Sequence, residues 1–116
     1  MSNVLDIAPF SWIDGENSVS VIMTEVGSFQ QDIFDSRAEE GFEGGGYDWQ
    51  SLAVVFLAEK MSHLAEKINF DSESSMFCAC TRKEDAPALQ EFIIAFKKAL
   101  DDKPLILDIF SRVELD

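Results

Sequence analysis

The longest helical pattern in the chain runs from Gly44 to Ile68. Every residue from Leu52 to Ala58 is apolar, and beyond this run an apolar stripe continues from Met61 to Ile68. A helix that is apolar on all sides is normally covered on several sides. The pattern therefore predicts a central helix that belongs to the core.

The expected start of this helix is Asp48, because an Asp at the N-cap accepts a free backbone N–H and faces the positive end of the helix dipole. Tyr47 and Leu52 are then spaced for a hydrophobic staple across the cap. The glycines at 44–46 let the chain turn into the helix. Trp49 would be either an exposed anchor for a partner or a lid on the core, and its position at the helix start favours the core.

Alternating apolar and polar residues predict a β-hairpin near the N-terminus. Residues 2–9 lead into a strand at 10–13, and the turn-forming residues 14–17 precede a second strand at 18–26. In the second strand Val19, Val21 and Met23 share one face. This alternation is typical of an antiparallel sheet with one packed face.

The second half of the chain predicts two further strands and two helices. Short apolar runs at 68–70 and 76–80 flank a turn at 71–74 and indicate strands. Asp85 caps the next helix, and Lys103-Pro104 ends it and starts the last one. The stripe of the first of these helices is Leu89, Phe92, Ile93, Phe96 and Leu100, and that of the second is Leu105, Ile109 and Val113, with Phe110 beside it.

Residues 27–41 are the least defined segment. Ser28 is able to cap a short helix in which Phe29, Ile33 and also Phe34 face inward and which ends near Gly41. An irregular loop over the same residues fits the pattern as well. The sequence leaves these two alternatives open.

The order of elements, ββ(α)αββαα, favours an α+β fold. We expect an antiparallel sheet of about four strands packed against a long central helix and one or two C-terminal helices. A chain of 116 residues is large enough to bury a core without disulfides. We therefore expect a single domain over residues 1–116.

Charge is the one extreme property of the composition. Twenty-two acidic residues against nine basic ones give a net charge of −13, and residues 1–48 hold ten acids with Arg37 as their only base. Such a field repels nucleic acid and anionic membranes and attracts basic partners. The alternative is that acidity merely keeps a small protein soluble. The chain has no apolar run long enough to span a membrane and no recognisable signal peptide, so a cytoplasmic location is expected.

No constellation of residues predicts catalysis, a cofactor or a metal site. The glycines at 44–46 lack the nearby bases of a phosphate loop. Cys78 and Cys80 with His63 leave the ligand set of a zinc site incomplete, so a buried strand is the favoured interpretation of the cysteines. His63 itself falls on the polar face of the central helix, where a solvated role is expected.

Several strings resemble the bacterial immunity protein 51 family. They are GYDW at 46–49 running into SLAVVFLAEKM at 51–61, INFDSESSMFCA at 68–79, LQEFIIAFKKAL at 89–100 and IFSRVELD at 109–116. The resemblance covers about two thirds of the chain and is densest from Gly41 onward. It implies the antidote of a polymorphic toxin system, which stays in the cytoplasm and binds and blocks a cognate toxin domain. It implies neither catalysis nor a cofactor, and it leaves the toxin and the oligomeric state open.

The most acidic window, Asp35 to Asp48, is the predicted partner surface. It combines negative charge, flexible glycines and Phe42 as an aromatic anchor, which is a combination typical of interaction hot spots. The predicted contact residues are Asp35, Glu39, Glu40, Phe42 and Glu43, with Asp71 and Glu73 as weaker candidates. The alternatives are a solvated loop whose Phe42 packs into the core and, at the level of function, a small acidic adaptor or regulator that binds a basic host protein.

Overall fold

The structure is a computed structural model that describes residue 7 and residues 9–114. Its elements follow the predicted order. Most of the expected lead-in at residues 2–9 lies outside the described residues. The strands and helices are β1 (Ser11–Asp14), β2 (Ser18–Met23), α1 (Gln31–Asp35), α2 (Gly46–Lys60), β3 (Asn69–Phe70), β4 (Phe77–Arg82), α3 (Ala86–Asp101) and α4 (Lys103–Phe110). Short 3-10 turns lie at 38–40, 62–64 and 83–85.

The four strands form one antiparallel sheet in the order β1-β2-β4-β3. Val21 lies opposite Ala79 and Met23 lies opposite Phe77, so these side chains point to the same face of the sheet. All four are buried, and α2 and α3 pack on β4. The α+β prediction is confirmed, with helices on one face of an antiparallel sheet.

The core is rich in aromatic rings that belong to different elements. Trp49 of α2 is fully buried, and its ring lies within 5.1 Å of Phe34 and 6.3 Å of both Phe10 and Phe96, between centroids. The core position expected for Trp49 is confirmed. The whole predicted stripe of α3 is buried as well: Leu89, Phe92, Ile93, Phe96 and Leu100.

The predicted N-cap of the central helix is wrong by three residues. The helix begins at Gly46, and the extended Gly45 is its N-cap without a side-chain hydrogen bond. Asp48 lies inside the first turn and reaches backward, where its Oδ2 accepts the N–H groups of Glu43 at 2.8 Å and Gly44 at 2.9 Å. Tyr47 is 51% exposed, so the predicted staple does not form. Asp48 thus stabilises the loop that enters the helix.

The central helix also ends earlier than predicted, at Lys60. Met61 leaves the helical conformation at φ −142° and ψ 45°, and a 3-10 turn follows at 62–64. Met61, Leu64 and Ile68 are buried as the apolar stripe predicts, although tighter turns and not a continued helix place them there. These turns fold the chain back so that β3 reaches the edge strand position beside β4.

Residues 27–41 contain a short helix and a turn, without one continuous helix to Gly41. Ile33 and Phe34 are buried as the helical interpretation requires. Ser28 does not cap the helix, because its hydroxyl donates to the backbone oxygen of Glu25 at 3.0 Å and Gln30 holds the cap position at φ 52°.

The last two helices agree with the predicted positions apart from small shifts, but Asp85, at the N-cap of α3, makes no side-chain hydrogen bond to the helix, so the predicted cap does not form. Asp102 caps α4 by accepting the N–H of Leu105 at 3.4 Å. Ile109 and Val113 are buried, whereas Leu105 is half-buried and Ile106 takes the fully buried position.

Candidate interaction surface

The turn at residues 71–76 packs directly against the first turn of α2. The N–H of Gly46 donates to the oxygen of Ser74 at 2.9 Å, and the N–H of Ser72 donates to Oε1 of Gln50 at 3.3 Å. A Cβ added to Gly46 would lie 1.8 Å from the oxygen of Glu73, so only glycine permits this approach. The contact brings Asp71 and Glu73 beside the start of the helix.

The loop that precedes α2 is held near the start of the helix by hydrogen bonds with Gln31 and Asp48. Nε2 of Gln31 donates to Oδ1 of Asp35 at 3.2 Å and to the oxygen of Glu43 at 3.0 Å. Asp48 accepts the N–H groups of Glu43 and Gly44. The two acidic segments predicted from the sequence, at 35–48 and 71–73, therefore converge at the N-terminus of α2.

Five carboxylates in these segments are exposed, and within the described part of the chain they take part in no ion pair: Asp35, Glu39, Glu43, Asp71 and Glu73. We call these five residues the acidic end. Elsewhere the bases are largely neutralised, as Lys83 is by Asp14 at 2.6 Å and Lys103 is by Asp32 at 2.8 Å. Charge that is unpaired at one place produces a field that attracts cations.

Glu40 differs from its acidic neighbours because it forms an ion pair with Arg37. The guanidinium donates to both carboxylate oxygens, at 2.8 and 2.7 Å, and this hydrogen bonding lowers the pKa of Glu40. The same guanidinium donates to the backbone oxygens of Phe110 and Val113 at 2.5 and 2.7 Å. Glu40 therefore helps to fix the C-terminal segment, and among the predicted contact residues it is the one that forms an ion pair within the described part of the chain.

Phe42 is buried, with only 3% of its surface exposed. Its ring packs edge-on against Phe110 at 4.9 Å, and the guanidinium of Arg37 lies 4.7 Å from its centroid. The alternative in which Phe42 packs into the core is the one that the structure contains. In this conformation the ring is not available as an anchor for a partner.

The cysteines and the histidine are not brought together. Cys78 and Cys80 lie on the sheet face opposite the helices, and burial raises the pKa of the Cys78 thiol to about 11. Nε2 of His63 lies 3.3 Å from a carboxylate oxygen of Glu91 on the exposed surface. Residues 7 and 9–114 contain no group of three or more side chains that is placed to hold a metal ion.

The model of the immunity protein 51 family matches residues 10–115 of this sequence, which is nearly the whole chain. The chain belongs to the immunity protein 51 family. The family resemblance that the motifs indicated is thus confirmed. No curated protein and no solved structure matches the chain. None of the helices described for this immunity protein 51 family member has the length and apolar character of a membrane span.

In this member of the immunity protein 51 family, the sequence does not predict one candidate feature, which is the exposed apolar side of α2. Tyr47 is 51% exposed and Val54 is 44% exposed, both on α2. The available signal was the apolar run from Leu52 to Ala58, which has more apolar positions than one packed face requires. This run predicts a helix covered on several sides, but the fold leaves the side of α2 with Tyr47 and Val54 uncovered.

Proposed function

We propose that this chain is the immunity protein of a polymorphic toxin system, which binds a cognate toxin domain and blocks it. The observation that carries the proposal is the match to the immunity protein 51 family over residues 10–115. In this proposal the chain acts in the cytoplasm as a single domain over residues 1–116. It works by binding alone, without a cofactor or a reaction of its own, and it engages neither nucleic acid nor a membrane.

The acidic end supports a basic toxin surface as the partner. Its five carboxylates come from two segments that are distant in sequence, and they have no basic partners among the described residues. A toxin that acts on nucleic acid needs a basic substrate surface, which an acidic antidote is suited to cover. Complementary charge of this kind mainly raises the rate of association.

A protection assay tests the function itself. The probe is the C-terminal domain of the toxin encoded by the gene immediately upstream, expressed in bacteria with and without this chain. We expect growth arrest or death without the chain, survival with it, and co-purification of the two proteins. If the two proteins do not associate and survival is unchanged, the chain is not the antidote of that toxin.

A matched pair of charge reversals tests the surface. Glu39→Lys, Glu43→Lys and Glu73→Lys together change three residues of the acidic end and leave the Arg37 ion pair intact. The control reverses Glu16, Glu25 and Glu66, which are exposed and lie outside that end, so the net charge changes equally. We expect association to slow at least about tenfold at low salt in the first variant and much less in the control. Equal rates for the two variants would show that net charge and not this surface steers the partner.

A further inference from the structure

Helix α2 carries an apolar stripe that no other part of the described chain covers. Tyr47, Val54 and Ala58 are exposed, and their spacing of seven and then four residues places them along one side of the helix, with the half-buried Gln50 and Ser51 between the first two. The opposite side is buried through Trp49 and Phe56. The helix therefore has apolar residues on the side that faces solvent as well as on the side that faces the core.

A shallow groove extends this stripe toward the C-terminal segment. Val54 and the half-buried Val55 line it together with Gln50, Arg112 and Glu114. Arg112 donates to both carboxylate oxygens of Glu59 at 2.7 Å, and it donates to Asp108 at 3.1 Å. Because two carboxylates neutralise this guanidinium, the wall of the groove does not oppose a basic partner.

The stripe begins between the two segments of the acidic end. On one side of it, Gly46 and Gln50 hold the turn at 71–76. On the other side, Asp48 holds the loop that carries Glu43. Tyr47 lies between these positions in the first turn of the helix. The exposed apolar residues of α2 and a set of unpaired carboxylates therefore lie on one surface.

We infer that this stripe, Tyr47, Val54 and Ala58, is the apolar centre of the toxin interface and that a basic surface of the toxin domain lies along it. The inference rests on the proposed function. A protein interface combines an apolar centre with a polar rim, and a tyrosine that becomes buried there is a frequent hot spot. The acidic end supplies such a rim and sets the charge of the partner. A second copy of this chain is disfavoured as the occupant, because its net charge of −13 would be repelled.

The test is the double variant Tyr47→Gln and Val54→Gln, measured against the toxin domain immobilised on a surface plasmon resonance chip. Both side chains are exposed and glutamine is compatible with a helix, so folding should persist, and a circular dichroism melt checks it. The matched control is Ile13→Thr with Leu107→Gln, which alters two apolar residues that are 47% and 37% exposed in β1 and α4.

We expect the α2 variant to bind at least about tenfold more weakly, mainly through faster dissociation, because contacts at the centre of an interface act on the off-rate. The control should bind like the parent. If the parent protects cells and the α2 variant binds within about threefold of it, the inference is overturned while the proposed function stands. If only the control loses binding, the interface lies elsewhere and the inference is equally overturned. If the parent neither binds nor protects, the proposed function fails first.

Discussion

Replacing Gly46 by Ala tests the contact that brings the two acidic segments together. The added Cβ would lie 1.8 Å from the oxygen of Glu73 and 2.5 Å from that of Met76, whereas real Cβ contacts are at least 3.0 Å. Both obstacles are backbone atoms, so no side-chain rotation relieves the overlap. The turn at 71–76 must therefore move away from α2 by more than about 1 Å.

This displacement removes several hydrogen bonds. The bonds from the N–H of Gly46 to Ser74 and from the N–H of Ser72 to Gln50 are lost, because they join the turn to the helix, and the pair between Glu73 and Met76 is weakened. At about 1 kcal/mol for each lost bond and about 1 kcal/mol for the weakened pair, the cost is about 3 kcal/mol. Alanine returns about 0.5–1 kcal/mol through its better helix propensity. The expected net loss of stability is about 2–2.5 kcal/mol, which corresponds to a fall in melting temperature of about 10 °C.

Urea unfolding followed by tryptophan fluorescence, to which the buried Trp49 and the half-buried Trp12 contribute, measures this loss. Gly45→Ala is the matched control, because its Cβ would lie 3.0 Å from the oxygen of Ser74 and a small shift accommodates it. We expect the control to lose at most about 1 kcal/mol. Hydrogen exchange should also accelerate at the amides of Gly46, Ser72 and Met76 in the Gly46 variant alone. Unchanged stability and exchange would refute the close approach of the turn to α2.

Three further predictions concern other parts of the fold. Asp48→Ala should cost about 1–2 kcal/mol in urea unfolding, because the N–H groups of Glu43 and Gly44 lose their shared acceptor, and a parental value would refute that role. Arg37→Lys should cost about 2 kcal/mol, since an ammonium cannot bind Glu40 with two N–H groups and also reach two carbonyls, and full stability in the lysine variant would contradict this. The Cys78 thiol should react slowly with a disulfide reagent at pH 8, because its pKa of about 11 leaves about a hundredfold less thiolate than the ordinary value of 9.0. Reaction of the native protein at the rate of the unfolded chain would refute the burial of the thiol. The same upward shift should make the folded state less stable as pH rises from 9 toward 11, because the unfolded chain loses this proton in that range and the folded chain keeps it.

Apolar spacing alone is sufficient to predict an element when it is compatible with the burial of only one of its faces. The stripe of α3 repeats every three or four residues and is buried throughout, and the alternation in β2 buries Val19, Val21 and Met23 as expected. These patterns are local because the period of a helix or strand places its own side chains. The family motifs were also recognisable from the sequence, although only LQEFIIAFKKAL at 89–100 lies wholly within such a segment.

The candidate surface depended on contacts that no local pattern contains. Asp48 resembles an N-cap in the sequence, and only the packing of the turn at 71–76 on Gly46 moves the helix start to residue 46. The acidic, glycine-containing surroundings of Phe42 in the sequence are typical of an exposed anchor, yet its ring packs against Phe110, which is distant in sequence, and against the nearby Arg37.

The uncovered side of α2 was likewise decided by the tertiary structure. The all-round apolar run of this helix is compatible with any side facing inward. Which side is covered depends on where β4, α3 and α4 pack, and they leave Tyr47 and Val54 exposed. Helical periodicity specifies which residues share a side, but the burial of each side is a property of the whole fold, because the covering atoms come from elements far away in the chain.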